Sequence, residues 1–474
     1  MSEQELCWMS AVELLDAYRS KKLSPVEVTR AVLERIDEVN PRINAVVTLA
    51  PDLAMEQARA AEEAYQKGKA AALAGVPVTI KDLICTRGIR TTFGSRLFED
   101  YVPDEDAVLV ERLKEAGVVI LGKTNVPEFG LVAVTDNLIF GPALNPWDTR
   151  KTVGGSSGGA AAGVVAGFGP LAVGNDGGGS IRVPSSLCGS FGLKPHFGRI
   201  PCGPKPYHGW ESMNAEGPIT RTVADAALMM DVMAGPDERD RMSLPASGVN
   251  YLESLKGGIK GLKVAYTSDL AVSAVEPEVV ELTRKAAFSF EELGCEVVED
   301  DPGIPDMSGD LSALVILETV TEHEHCLEEE KEEMLAVAAR LYLDLREALD
   351  NRDMVRVGYH REDMWKIMRR FFEKYDLLLT PTTPCPAFDL KEGTMIMGPD
   401  AVNGVEQTPA SWVGFMFPFN FTGQPAASIP CGFTAGGLPV GLQIVGRRYD
   451  EPAVLSAAAA FEQAHPWADR HPDL

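Results

Sequence analysis

The segment that most clearly indicates the fold is Ala107-Val-Leu-Val-Glu-Arg-Leu-Lys-Glu-Ala116, followed by Gly117 and Val118-Val-Ile-Leu121. The first ten residues place apolar side chains at helical spacing, and a glycine often ends a helix. The aliphatic run after the glycine predicts a strand that is buried on both faces. The same helix, glycine and strand order recurs from Val279 to Val298 around Gly294. This alternation predicts an α/β protein whose parallel strands are covered by helices.

Short apolar runs elsewhere predict further strands. These runs are Val76–Ile80, Leu377–Leu379, Ala426–Pro430 and Val440–Val445. An early helix is predicted to begin at Ser24-Pro25-Val-Glu27, where Ser and Glu form a capping-box pattern and proline occupies the first helical position. We expect it to end near Asn40-Pro41, and a last helix to cover Pro452–Ala464.

Two regions carry little sequence signal for function. Pro236–Gly261 is rich in Pro, Gly, Ser and charge, and we interpret it as a surface connection. Leu311–Lys374 is almost wholly helical in pattern, and its acidic run Glu328–Glu333 is typical of a solvated helix face.

Charge and cysteine usage exclude several classes of function. The chain has 474 residues with 69 Asp and Glu against 44 Lys and Arg, a net charge of −25, which disfavours binding to nucleic acid or to an anionic membrane. Eight scattered cysteines without a CxxC pair indicate reduced thiols, and the N-terminal residues lack a signal-peptide pattern. The longest uncharged stretch, Thr152–Asn175, is rich in Gly and Ala and contains Pro170, so we predict a buried helix there. We therefore expect a cytoplasmic protein.

Two motif matches point to other enzymes and are rejected on context. Gly117–Thr124 satisfies the pattern of a phosphate-binding P-loop, but the residues between its glycines are β-branched and predict a strand. Gly154-Gly-Ser-Ser-Gly-Gly159 satisfies the GxSxG pattern of a nucleophile elbow. An elbow requires a core strand immediately before it, whereas Asn145–Lys151 is predicted to be a loop. His323 and His325 lack the spacing of zinc ligands on a helix, and we expect no metal and no cofactor.

A third motif, Gly174-Asn-Asp-Gly-Gly-Gly-Ser180-Ile-Arg182, places a serine after three glycines at a predicted helix start. Glycines allow several backbone N–H groups to turn toward one point, and a helix N-terminus adds partial positive charge. This arrangement is suited to an oxyanion hole, although a Gly-rich turn with Ser180 as a helix cap gives the same pattern.

Several motifs in order distinguish between these two interpretations. They are Gly75–Asp82, Gly122–Gly130, Gly154–Gly159, Asn175–Pro184, Cys188–Pro195, Gly423–Gly432 and Gly437–Val445. With these motifs the chain resembles the amidase signature family over nearly its whole length. The resemblance implies a three-layer α/β/α fold with a large mixed, mostly parallel central sheet. It also implies one domain over residues 1–474, with a signature core at 75–221 and a variable helical region at 311–374.

Residue by residue, the resemblance implies a catalytic triad. Ser180 matches the family nucleophile, Ser156 the bridging serine after a cis peptide bond, and Lys81 the base. The oxyanion hole would consist of the backbone N–H groups of Gly177, Gly178, Gly179 and Ser180. Ser157, Arg182 and Asn125 match supporting positions. Lys81 accepts a proton only when neutral, and burial at the end of an apolar strand favours that form.

The chain departs from the commoner family pattern at Asn175 and Gly177, which replace two threonines, and we expect a different pocket floor. With Gly174-Asn-Asp176, Asn145-Pro-Trp147 and the tail His465–Leu474, the chain looks like the subgroup that includes nylon-oligomer (6-aminohexanoate cyclic dimer) hydrolases. Urethane-cleaving amidases and aryl acylamidases also look similar. The resemblance implies cleavage of amide or carbamate bonds in apolar or aromatic small molecules. We predict that apolar side chains at Met395–Met397 and Trp412–Phe419 form the substrate wall.

Other functions remain open at this point. One is the amidase subunit of a tRNA-dependent amidotransferase, which shares the signature; another is a catalytically inactive binding protein, against which the intact triad argues. We expect a small-molecule amide or carbamate substrate, no nucleic-acid partner and no membrane partner. A homo-oligomer is compatible with the sequence.

Overall fold

A computed structural model describes residues 3–206, 209–210, 212–270, 274–329, 331–390 and 397–474. Within these ranges eleven strands form one sheet, and four further strands form two separate hairpins. The strands are β1 (Val46–Leu49), β2 (Pro77–Lys81), β3 (Val119–Thr124), β4 (Leu144–Asn145), β5 (Asp148–Thr152), β6 (Leu171–Asp176), β7 (Phe191–Lys194), β8 (Ala215–Thr220), β9 (Lys263–Tyr266), β10 (Glu296–Glu299), β11 (Leu377–Pro381), β12 (Ala401–Val402), β13 (Val405–Glu406), β14 (Ala426–Phe433) and β15 (Pro439–Gly446).

The α-helices of the described residues cover both faces of this sheet. They are α1 (Glu3–Cys7), α2 (Ala11–Arg19), α3 (Pro25–Ile43), α4 (Pro51–Gln66), α5 (Val108–Glu115), α6 (Gly158–Val165), α7 (Arg182–Cys188), α8 (Val223–Met233), α9 (Tyr251–Ser254), α10 (Pro277–Phe288), α11 (Ser308–His323), α12 (His325–Glu328), α13 (Val337–Asp344), α14 (Asn351–Phe371), α15 (Pro418–Phe421) and α16 (Glu451–Ala464). No helix in the described ranges has both the length and the apolar character that a bilayer crossing requires.

The main sheet is mixed, with the order β1-β3-β2-β6-β8-β7-β14-β15-β11-β9-β10. Parallel pairing joins β3, β2 and β6 on one side and β11, β9 and β10 on the other. The strands between these two groups pair antiparallel, as does the edge strand β1. β14 and β15 are joined by a turn of a few residues, and so short a connection can only give antiparallel neighbours. The predicted large mixed α/β sheet is confirmed, and its parallel pairs are confined to the two flanks.

Two apolar cores lie on opposite faces of the sheet. Along β11, Leu377 and Leu379 pack into one core, which also receives α8 and α16, whereas Leu378 packs into the other core with α11 and α14. Successive strand residues point to opposite faces, so this division is the sheet alternation itself. The three-layer α/β/α architecture is therefore confirmed.

The predicted elements are found with small changes at their ends. The run after Gly117 is β3, so the P-loop match is a buried strand as expected. Ser24 caps α3: its hydroxyl accepts the Val26 N–H and donates to Glu62. The predicted reciprocal capping box with Glu27 does not form in the described part of the chain. The segment before Gly154, predicted to be a loop, contains the hairpin of β4 and β5, because Asn145 and Asp148 pair across a tight turn.

Two strand ends bring the signature residues together. β2 and β6 are parallel neighbours, with Ile80 opposite Val173. Lys81 is the last residue of β2, and Asp176 is the last residue of β6. Because the carboxyl ends of parallel strands meet at one edge, Lys81 and the glycine loop after Asp176 lie beside each other.

Candidate active site

Lys81 is fully buried at the end of β2, and its ammonium nitrogen is directed at the signature serines. Nζ donates to Ser156 Oγ at 2.7 Å, to Asn175 Oδ1 at 2.5 Å and to the Asn175 carbonyl at 3.3 Å. All three partners come from the two glycine-rich segments that the sequence singled out. These hydrogen bonds fix the position of Lys81 beside Ser156, the serine whose proton it is expected to accept.

Burial lowers the pKa of Lys81 well below that of an ordinary lysine, because a charged ammonium group loses its hydration in the interior. The carboxyl groups of Asp176 and Glu216 act in the opposite direction and raise it. Desolvation is the largest of these effects, so the neutral amine is favoured. A neutral amine 2.7 Å from a serine hydroxyl can accept a proton.

Ser156 follows a cis peptide bond after Gly155 and lies two residues before the start of α6 at Gly158. The backbone approaches closely here: a Cβ on Gly155 would lie 2.8 Å from the Val134 nitrogen. Only glycine fits that contact without displacing the segment around Val134. Ser156 is 1% exposed, and its hydroxyl faces Lys81 inside a cavity.

Ser180 lies between the glycine loop and α7, where it lines two neighbouring cavities. Among the described residues its hydroxyl makes no hydrogen bond to protein. Its carbonyl accepts the Ser157 N–H at 3.0 Å, and Ser157 Oγ donates to the Asn175 carbonyl at 3.2 Å. Ser157 therefore ties the loop of Ser180 to the segment of Ser156, in line with a supporting position.

Asp176 fixes the glycine loop, residues 177–179, through hydrogen bonds to backbone N–H groups. Its carboxylate accepts the N–H of Gly179 at 2.7 Å and that of Ile181 at 3.2 Å. Gly179 also has a φ of +123°, which an L side chain rarely adopts. Since the Gly179 N–H is already bonded, the predicted set of oxyanion donors narrows to Gly177, Gly178 and Ser180, for which the described residues supply no acceptor.

Arg182 is completely buried and does not line either cavity. Its guanidinium forms an ion pair with Asp176 at 2.9 Å and also donates to Asn420 Oδ1 and Gln443 Oε1. Burial alone would raise the pKa of Asp176, but the charge and hydrogen bonds of Arg182 hold it well below its usual range. Arg182 thus acts on the site through Asp176 and fastens it to the C-terminal part of the chain.

Asn125 is buried away from both cavities. Its side chain donates to the Asn44 and Gly141 carbonyls and accepts from Asn137 Nδ2 at 2.8 Å, and its carbonyl accepts the Gly159 N–H. These bonds hold the loop after β3 against the start of α6. Any contribution to the site is therefore through the position of that helix.

A large apolar chamber opens beside Ser180. It has a volume of about 220 Å³ and is lined mainly by α11 and α13 together with the segments around Leu131 and Val413. Its apolar residues are Leu131, Val132, Ala133, Leu311, Val315, Ile316, Leu341, Tyr342, Leu345, Met397, Pro409, Ala410 and Val413.

The predicted aromatic wall is largely wrong. Trp412, Phe415, Met416, Phe417 and Phe419 are buried in the core, and of the segment Trp412–Phe419 it is Val413 that lines the chamber. Large aromatic side chains gain more from full burial in the core than from a half-open wall. Of the predicted segment Met395–Met397, Met397 lines the chamber, and the first two residues lie outside the described residues.

Three residues of this region escaped the sequence analysis. Asn175 was noted as a departure from the family pattern, but its contact with Lys81 was not foreseen. Trp210 borders both cavities, has a φ of +59°, and donates its backbone N–H to Glu318 at 2.6 Å. Glu216 is buried in the cavity next to Ser156. Only Asn175 had a sequence signal, because the other two stand outside the glycine motifs.

No group of three or more His, Cys, Asp or Glu residues suited to holding a metal ion is found in the described ranges.

Comparison with known proteins gives a consistent picture. The family model described as Amidase matches residues 27–455. An acylamidase of Rhodococcus erythropolis is 40% identical over 100% of this chain and 98% of its own length. A glutamyl-tRNA(Gln) amidotransferase subunit of Moorella thermoacetica is 38% identical and covers 99% of each chain.

Solved structures agree with this result. A bacterial aryl acylamidase of the amidase signature family superimposes with a TM-score of 0.91 at 35% identity over 97% of each chain. A 6-aminohexanoate cyclic dimer hydrolase with bound substrate gives a TM-score of 0.89 at 30% identity, over 98% of this chain and 99% of its own. The predicted likeness to these two kinds of enzyme is confirmed.

Proposed function

The chain belongs to the amidase signature family, and on this premise we propose that it hydrolyses amide and carbamate C–N bonds of apolar small molecules through Ser180, Ser156 and Lys81. The observation that carries the proposal is the 2.7 Å hydrogen bond between a fully buried lysine and the relay serine. Through this hydrogen bond a neutral Lys81 can accept the proton of Ser156, and the burial of Lys81 favours the neutral form.

In the proposed mechanism Lys81 takes the proton of Ser156, which takes the proton of Ser180 as Ser180 attacks the carbonyl carbon. The negative charge that forms on the carbonyl oxygen is stabilised by the N–H groups of Gly177, Gly178 and Ser180. Loss of one such donor typically raises the barrier by ~3–4 kcal/mol. The relay then runs in reverse, Ser156 protonates the leaving nitrogen, and water hydrolyses the acyl-enzyme.

The chamber supports an apolar substrate. Its lining is mostly apolar, with Trp210 and Tyr342 among aliphatic side chains, and each methylene buried there would contribute about 0.8 kcal/mol to binding. The added oxygen of a carbamate lengthens the group on the carbonyl carbon and leaves the C–N bond where it is in an amide. We therefore include carbamates among the proposed substrates.

We propose a cytoplasmic enzyme that acts on a small molecule without nucleic acid and without a membrane partner. All eight cysteines are free, and six of them are buried, which agrees with a reducing compartment. The proposed chemistry uses protein groups alone and calls for no metal or cofactor.

A second candidate is favoured by the amidotransferase relatives. The Moorella protein and this chain match over 99% of both lengths, so the family resemblance alone does not separate a hydrolase from a component of an amidotransferase. The apolar lining of the chamber argues for the hydrolase, because glutamine is polar at both ends.

The test is an activity panel with the purified chain alone. The panel contains primary amides and carbamates of increasing acyl length, together with glutamine, and Ser180→Ala serves as the control. We expect kcat/KM to rise with chain length and glutamine to be poor. A flat series with glutamine as the best substrate would favour the amidotransferase function.

A further inference from the structure

A narrow cavity of about 30 Å³ lies next to both signature serines. Ser156, Asn175 and Gly177 line it from the catalytic loops, and Asn214 and Glu216 line it from β8 and the residues just before β8. The chamber also reaches Ser180 but is not lined by Ser156. A nitrogen that receives its proton from Ser156 must therefore face the narrow cavity.

The burial of the Glu216 carboxyl group is not explained by a structural role. It is 5% exposed, and its Oε2 has no hydrogen-bond partner among the described residues. In the β6–β8 pairing it lies opposite Asn175, the residue that accepts a hydrogen bond from Lys81. A buried polar atom without a partner is costly, and such groups in native structures often mark a ligand that completes them.

Asn214 offers a second acceptor in the same place. It is two residues before Glu216, so both side chains belong to the same face of the chain as it enters β8. Asn214 Nδ2 donates to Cys202 Sγ at 3.5 Å, and its Oδ1 accepts no hydrogen bond among the described residues. Two oxygen acceptors thus converge on a cavity that also contains the relay hydroxyl.

We propose that this cavity, the amine cavity, binds the leaving amine of the substrate as ammonia or a short aliphatic primary amine, with Glu216 and Asn214 as its acceptors. This inference rests on the proposed function and deepens it by naming the leaving group. The acyl or alkoxy part of the same substrate occupies the chamber.

The proton balance of this step closes. When the C–N bond breaks, the nitrogen has received one proton through Ser156 and leaves as a neutral amine. Burial raises the pKa of Glu216 to about 8, so this carboxyl holds a proton near neutral pH. It passes that proton to the amine, which gives an ammonium–carboxylate pair, and regains one from solvent when the ammonium departs.

Charged groups around Glu216 shift its pKa in both directions, and one of them, Lys205, also lines the amine cavity. Lys205 and Lys81 lower the pKa of Glu216, and Asp240 raises it. Lys205 Nζ already donates to the Gly209 carbonyl at 2.6 Å. The proton transfer is reversible, so an amine bound at Glu216 can return its proton to the carboxylate and attack the acyl-enzyme as the free amine.

The size of the cavity limits the amine. One buried water molecule requires a cavity volume of ~10–15 Å³. The amine cavity of about 30 Å³ therefore holds about two atoms or groups the size of a water molecule. Ammonia and methylamine fit this volume, and butylamine does not.

The first experiment therefore keeps one apolar acyl group and varies the leaving amine of the substrate from ammonia to methylamine, butylamine and aniline. We expect kcat/KM to fall roughly tenfold or more between methyl and butyl; rates that rise with amine size would overturn the proposal.

The second experiment tests Glu216 directly by trapping the acyl-enzyme with methylamine. A methyl ester of the same acid, whose leaving group matches methylamine in size, supplies the acyl group, and the ratio of N-methylamide to free acid is measured against methylamine concentration. We expect the ratio to saturate for the native chain, the half-saturating concentration to rise roughly tenfold or more in Glu216→Gln, and Glu216→Asp to recover part of the effect.

Glu322→Gln is the matched control, because Glu322 lines a separate small pocket with Glu318 and His323 and does not line the amine cavity. The control should leave the trapping curve unchanged. A curve that never saturates in the native chain, or that Glu216→Gln leaves unmoved, would overturn the proposal. Absence of any methanol release, with neither acid nor amide formed, would instead mean that no acyl-enzyme forms, which would contradict the proposed function.

Discussion

Asn175 and Lys81 are direct hydrogen-bond partners: Nζ of the fully buried lysine lies 2.5 Å from Oδ1 of the asparagine, which borders the narrow cavity beside Ser156. The amide oxygen accepts whichever protons the lysine carries, and it stabilises the ammonium form more than the amine. A residue at which the chain departs from the commoner family pattern therefore acts on the proposed base itself.

Substitution of Asn175 should move the pH profile in opposite directions for two variants. Asn175→Leu removes an acceptor from the charged form and should shift the rising limb of kcat/KM to lower pH. Asn175→Asp adds a negative charge beside Lys81 and should shift it to higher pH. The measurement is kcat/KM across pH for the native chain and both variants. Shifts of the same sign would mean that the limb reports another group.

Lys81→Met should leave the protein folded and reduce kcat by roughly 10²-fold or more, because the apolar stem remains while the proton acceptor is lost. In the native chain kcat/KM should rise with pH as Lys81 loses its proton. Since burial lowers this pKa, the limb should lie below that of an ordinary lysine. Circular dichroism checks the fold, and near-native rates in a folded variant would exclude lysine as the base.

Ser180 should be the residue that becomes covalently modified. Ser180→Ala should abolish both turnover and labelling by a fluorophosphonate, whereas Ser156→Ala should lose most activity and retain some labelling. Peptide mass spectrometry of the labelled native chain locates the adduct. An adduct on Ser156 or Ser157 would instead support the nucleophile-elbow interpretation of Gly154–Gly159.

The pair of Asp176 and Arg182 should contribute strongly to stability. Arg182→Met leaves a buried carboxylate without its partner and should lower the free energy of unfolding by about 3–5 kcal/mol. Because the pKa of Asp176 is held below that of an unfolded aspartate, its contribution is complete above the unfolded pKa and is lost as the pH falls toward the folded value. Urea unfolding across pH tests this.

The matched control for this pair is Arg150→Met, which breaks the exposed pair of Arg150 and Asp148. Exposed ion pairs contribute little, so the urea midpoint should hardly move. A double variant with Asp176→Asn and Arg182→Met should lose less than the sum of the single losses. Strict additivity would mean that the two residues do not act as a pair.

The chamber should select the acyl group. Ala410→Phe places a ring in the chamber and should lower kcat/KM for a long acyl chain by about tenfold, as expected when about two methylenes lose their burial, with little change for a short one. Val405→Phe is the control, because Val405 is exposed and outside the chamber lining. Equal losses for short and long chains would indicate misfolding instead of selection.

The sequence by itself determined the layers of the fold and the positions of the signature residues. Apolar runs such as Val118–Leu121 and glycines such as Gly117 are local signals, and they act through backbone conformation and burial over a few residues. Three separate motifs, around Lys81, Ser156 and Ser180, likewise pointed to the residues of the proposed triad through the family resemblance. Motifs of this kind are readable because the chemistry requires those residue types in close sequence proximity to glycines.

Only the tertiary structure decided what surrounds those residues. Three features depend on which strands become neighbours. They are the hydrogen bond between Lys81 and Asn175, the hydrogen bond from the Gly179 N–H to Asp176, and the Glu216 oxygen that has no partner among the described residues. The chamber is lined by α11 and α13, whereas the aromatic segment near Phe417 packs into the core. An apolar side chain that lines the chamber and one that packs in the core have the same local sequence pattern. Packing between distant segments decides which of the two positions a side chain takes, and a short stretch of sequence carries no information about that packing.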